Sequence, residues 1–219
     1  MAALATAGDY APASLYTYFP SRSALVAALQ ERALVHLGQV AADAAASWDL
    51  ALDETPVAES IASLARLCAF SDLFLAAPVE HRQQFRLQQE LLVTPGVEDV
   101  ADAGTVVPVA MHVLGLPQGL LAAAATSGGL AAGPPVADPT GEPVDPSIVR
   151  TLSWVVALNG ALLADALVTG LPTTGVALGD QITDALLVGW GADTEELASA
   201  RTLSSQWRGT ARPQRSEDA

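Results

Sequence analysis

The chain has 219 residues, 51% of them hydrophobic, with a mean hydropathy of +0.34. That excludes global disorder and leaves room for one small domain plus a larger one. The formal net charge is −14 and all ten basic residues are arginine, so bulk charge excludes a generic binder of polyanions or anionic membranes.

The charge is uneven. Residues 1–36 carry Arg22 and Arg32 against Asp9 and Glu31, whereas residues 37–219 carry eight Arg against 22 acids. Only the first segment would not repel a polyanion. Cys68 is the sole cysteine, so no intrachain disulfide can form, as expected of a protein in a reducing cytosol. No basic stretch leads into an apolar run at the start, so no signal peptide is expected. The most apolar stretch, Thr151–Gly170, contains Asn159 and Asp165 and reads as a buried helix rather than a membrane span. A cytoplasmic protein without a membrane partner is the expectation.

Ala and Leu recur at helical spacing and alternating strand patterns are nearly absent, which predicts an all-α fold. Met1–Gly8 reads as a short helix and Asp9–Ala11 as a turn. Pro12 opens a second short helix reaching Phe19. Pro20–Ser21 breaks it, and Ser21 is placed to cap a long helix running toward Trp48. This is a helix-turn-helix pattern joined to a connector.

Pro56 is expected to start the next helix, with Ile61, Leu64, Leu67, Cys68 and Phe74 on one stripe. Pro78 is expected to start another, ended by Pro95–Gly96. Val97–Leu114 reads as a helix interrupted at Pro108, followed by a short Leu120–Ala125 stretch. Ser127–Pro146 holds five Pro and four Gly and reads as an exposed linker. Ser147–Gly170, Val176–Trp190 and Thr194–Trp207 complete the helices, the last capped by Asp193, and Arg208–Ala219 reads as a disordered tail.

Within this pattern, Leu4-Ala5, Ser14-Leu15-Tyr16, Tyr18-Phe19 and Ser21-Arg22 followed by Leu25 resemble the DNA-reading motif of the tetracycline-repressor (TetR-type) family of transcription regulators. The likeness covers about 26 residues. Asp9 stands where the family usually has Gly, and Arg22 replaces the usual Lys, keeping the charge with a fork geometry. Family members carry a further helix ahead of this point. The head is therefore expected to be N-terminally incomplete, with Leu4, Leu15, Phe19 and Leu25 short of a packing partner.

The resemblance implies three regions: 1–47, a helix-turn-helix head with its connector; 48–207, a helical ligand-binding and dimerisation domain; and the tail 208–219. It places Ala11, Pro12, Ala13, Ser14, Tyr16, Thr17, Tyr18 and Arg22 on or near DNA. Hydroxyls and Arg22 would meet phosphates, and Thr17 a base edge. It implies a homodimer on a palindromic double-stranded operator, built on Ser147–Gly170 and Val176–Trp190, in which Ser153, Ala157 and Gly160 allow close approach. It also implies a small hydrophobic or aromatic effector, for which Phe70, Phe74, Phe85, Met111, His112, Trp154 and Asn159 are the candidate lining. Plain core is the competing explanation for those apolar positions.

Catalytic and metal signatures are weak. His36, His81 and His112 are scattered, and Asp180/Asp184 read as a solvated helix face. Gly170 and Gly175 have phosphate-loop spacing, but Val176-Ala177 follow where Lys-Ser/Thr is needed. No enzyme, cofactor or metal is expected. The expected function is a ligand-responsive repressor, and the alternative is a ligand-binding and dimerisation module that does not bind DNA.

Overall fold

In the computed structural model, Ser21 begins the first long helix. Its hydroxyl accepts the backbone N–H of Ala24 at 3.0 Å, and α1 follows as Arg22–Asp53. The structure describes residues 16–93, 100–166 and 172–207. These are almost wholly helical, and the chain is all-α.

Helix α2 is Glu59–Glu80 and α3 is Arg82–Val93. Pro56 therefore precedes α2 by three residues rather than opening it. Pro78 does not start a helix but sits in the last turn of α2. There its missing N–H forfeits only one intrahelical bond close to an end that already carries unpaired carbonyls. Helix α4, Val100–Thr126, replaces the expected two pieces and passes through both Pro108 and Pro117 without a break. The flanking Ala, Leu and Val sustain it, since a proline removes one hydrogen bond and bends a helix without always ending it.

The segment after α4 is more than an exposed linker. Leu130 is buried and its N–H bonds Ala124 O at 2.9 Å, closing the helix end. A Cβ on Gly129 would lie 2.8 Å from Ser60 O, so the chain fits against α2 only without a side chain there. A two-residue hairpin follows, β1 (Val136–Ala137) with β2 (Pro143–Val144), antiparallel with Val136 opposite Val144. Asp138 knots its turn, accepting the Thr140 hydroxyl at 2.6 Å and the N–H groups of Glu142 at 2.9 Å and Thr140 at 2.8 Å. These bonds hold the exposed carboxyl below its ordinary value.

Helix α5 is Pro146–Ala166, α6 is Gly175–Gly189 and α7 is Thr194–Trp207. Each start is capped by an oxygen side chain. Asp145 accepts from Ser147 N at 2.8 Å, Thr174 from Ala177 N at 3.1 Å, and Asp193 from Glu195 N at 2.9 Å and Glu196 N at 3.0 Å. The stretches 1–15, 94–99, 167–171 and the tail 208–219 lie outside the described residues.

The helices gather into two compact units: Met1–Gln39 with His81–Val113, and Val40–Glu80 with Leu114–Ala219. This division differs from 1–47 and 48–207, because Ala27 and Leu34 of α1 bury against Val106, with Leu91, Val109, Ala110 and Val113 packed around them. In the larger unit α2 lies against α7 and α6, and α5 lies against α6. Its centre is Leu64, Leu67, Cys68, Trp154, Leu158 and Leu187, all fully buried. Three helical stretches, Glu59–Glu80, Val106–Thr126 and Pro146–Ala164, are long and apolar enough to cross a membrane by length and composition.

Candidate nucleic-acid interface and effector cluster

Tyr16, Thr17 and Tyr18 form a helical turn just ahead of the Ser21 cap, and all three are exposed. Tyr16 is 52% and Tyr18 79% accessible, a large uncovered area for aromatic residues. Phe19 is half-buried, so the turn has an inner and an outer side. Arg22 is exposed, with no ion-pair partner among the described residues. Two phenols and a guanidinium thus stand beside a helix start, the chemistry that grips phosphate oxygens. Ala11, Pro12, Ala13 and Ser14 lie outside the described residues.

Of the seven candidate effector residues, four belong to the larger unit and three to the smaller. Phe70 is buried on α2, with its ring 5.3 Å from Trp154 on α5 and 6.3 Å from Phe74, centroid to centroid. Asn159, also on α5, is buried. Its amide nitrogen donates to Val155 O at 2.8 Å, while its Oδ1 is buried with no hydrogen-bond partner. A buried acceptor left open is costly unless something donates to it. Phe85, Met111 and His112 fall in the other unit, where Phe85 is buried and Met111 and His112 are exposed.

Helix α5 has two apolar faces. Trp154, Leu158, Ala161 and Leu162 are buried, while Val149, Leu152, Ser153, Val156, Gly160 and Leu163 are exposed. The exposed set recurs at seven residues (149, 156, 163; 153, 160), the spacing of a helix seam. Neighbouring α6 adds exposed Val176 and Val188.

Other groups come together that the linear order conceals. Arg201 of α7 reaches Asp184 at 2.7 Å, and Asp180 and Asp72 at 3.5 Å each. Asp180 and Asp184 are thus an ion-pair clamp and not a plainly solvated face. Their helical spacing was the visible signal; their partner, 17 residues or more away, was not. Burial pushes the Cys68 thiol, close to this cluster, up to about 12. His36 Nε2 lies 3.3 Å from His81 Nδ1, although 45 residues separate them. Among the described residues, no three His, Cys, Asp or Glu side chains come together to hold a metal. In comparisons with protein-family models, curated proteins and solved structures, nothing matches this chain.

Proposed function

We propose that the protein is a ligand-responsive, TetR-type transcription regulator, acting as a cytoplasmic homodimer on a palindromic operator, most simply as a repressor. The observation that carries this reading is the exposed turn Tyr16–Tyr18, set against half-buried Phe19 and followed by the Ser21 cap and exposed Arg22. These are the residues of the family-like motif. Their inner and outer sides match what a groove-reading helix requires: apolar side chains facing inward, and hydroxyls and charge facing out.

The exposed stripe on α5, recurring every seven residues and continued by Val188 of α6, supports the dimer. Two such helix pairs meeting about a two-fold axis would bury it as a four-helix contact. The open Asn159 acceptor, on the same helix as Trp154 of the aromatic cluster, supports an apolar effector with one hydrogen-bond donor. The effector acts by population shift, favouring a dimer whose heads no longer match the half-site spacing.

The charge balance favours a second reading, a ligand-binding and dimerisation module without DNA, since residues 1–36 carry only two cations against two acids. A gel-shift screen of the full chain against DNA flanking its own coding region separates the two. The regulator binds a palindrome in that DNA, and Arg22→Gln weakens that binding. Absence of any specific shift would leave the module.

A further inference from the structure

The larger unit contains an open cleft of about 420 Å³, within the range of small-molecule sites, and none of Phe70, Phe74, Trp154 or Asn159 lines it. Its floor is apolar. Trp48 of α1 and Trp207 of α7 are both buried and stack with centroids 6.3 Å apart and planes 17° apart, beside buried Leu75. Val79 and Val176 stand exposed at its mouth. Every charged side chain in the lining is acidic: Asp72, Glu80 and Asp180. The nearby cation, Arg201, is already shared among Asp72, Asp180 and Asp184. Glu80 has no ion-pair partner among the described residues. Three carboxylates therefore share one guanidinium at the edge of the cavity, and Glu80 adds a further acid to its lining.

We propose that this cleft is a binding site for a small lipophilic cation, an aromatic or alkyl group bearing an ammonium centre. The apolar body covers Leu75 and the indole pair. The ammonium group rests among Glu80, Asp180 and Asp72, where it supplies the positive charge that Arg201 alone does not. An anion of the same shape meets uncompensated carboxylates, and a neutral one gains only the apolar contact. This site is separate from the aromatic cluster and needs no DNA to be occupied.

The test is calorimetry, with tryptophan fluorescence, on the full chain titrated with naphthylmethyl-trimethylammonium, its neutral carbon isostere neopentylnaphthalene, and naphthylacetate. The cation is expected to bind about tenfold tighter than the isostere, and naphthylacetate more weakly than either. Glu80→Gln and Asp180→Asn should each weaken the cation about threefold to tenfold and leave the isostere unchanged. Glu142→Gln, an exposed carboxylate outside the lining, should change neither. Glu80 is exposed, so its variant tests the charge without disturbing the core. Equal affinity for cation and isostere, or no binding of either, overturns the proposal. So does an equal loss on Glu142→Gln, which would assign the effect to bulk charge. Cation binding that appears only in a chain ending at Trp207 also overturns it, by giving the cleft to the arginines of 208–219.

Discussion

Thr183 Oγ1 accepts the indole N–H of Trp154 at 3.0 Å, and the same hydroxyl lies 2.8 Å from Ser71 Oγ. All three residues are buried, and they sit on α6, α5 and α2. A small polar knot thus joins three helices at the centre of the larger unit. Thr183→Val keeps the shape but strands the indole N–H and removes the partner of Ser71. It is expected to cost about 1–3 kcal/mol in urea unfolding, while Thr183→Ser stays nearer the parent. A Val variant as stable as the parent would mean that water or other groups satisfy the knot.

At Gly179, α6 approaches α2 closely. A Cβ there would lie 2.5 Å from Leu75 Cδ2 and 3.0 Å from Cδ1. Alanine improves helix propensity by about 1 kcal/mol, yet overpacking costs about 1–3 kcal/mol, so Gly179→Ala should be neutral to destabilising. Leu75→Ala alone should cost about 2–5 kcal/mol. Because the two changes relieve one another, the double variant should be more stable than the sum predicts, by about 1 kcal/mol or more. Simple additivity would place the contact elsewhere.

Burial raises the Cys68 thiol from 9.0 to about 12, with Arg201 opposing that shift. The folded chain therefore holds this proton more tightly than the unfolded chain does. The contribution is fully present below about pH 9 and is lost as pH rises toward about 12, at up to about 1.4 kcal/mol per pH unit. Thermal unfolding of the parent should fall more steeply across that window than that of Cys68→Ala. Native thiol labelling at about pH 8 should be slow, becoming fast in denaturant. Parallel pH profiles for the two proteins would contradict the burial argument.

The exposed stripe of α5 gives a direct test of the dimer. Val156 is 61% accessible in the single chain, so Val156→Asp should leave its helicity intact. In sedimentation the variant should run as a monomer where the parent runs as a dimer, because a charge in the middle of a helix seam is not paired across it. A dimer that survives Val156→Asp would rule out α5 as the contact.

Much of the fold was legible because local chemistry decided it. Ser21 and Asp193 cap where an oxygen side chain precedes an apolar period, and α7 spans Thr194–Trp207 as read from its stripe. Proline misled in both directions. Pro78 and Pro108 read as boundaries, but Pro78 forfeits little so near the end of α2, and the apolar residues around Pro108, packed on Ala27 and Leu34, carry α4 through it. The hairpin at Val136–Val144 has two-residue strands, too short for any alternation to show. Leu130 looked like part of a linker because its burial depends on the fold of distant helices. The same reason hid the cleft. Its floor pairs Trp48 with Trp207, and its acids come from α2 and α6, so no local window contains it.

The DNA reading makes a quantitative demand of its own. In the described part of the head ahead of α2, the exposed cations are Arg22 and Arg32, so each half-site releases few counterions. The dimer's log affinity should fall with log salt at a slope shallower than about −6. Arg22→Gln should weaken binding to all sequences alike and reduce the slope by about 0.9 per protomer. Tyr16→Phe, which removes one hydroxyl but no charge, should weaken binding while leaving the slope unchanged. Filter-binding titrations over a series of salt concentrations separate the two effects. A slope steeper than about −6 would mean that cations other than these two carry the contact.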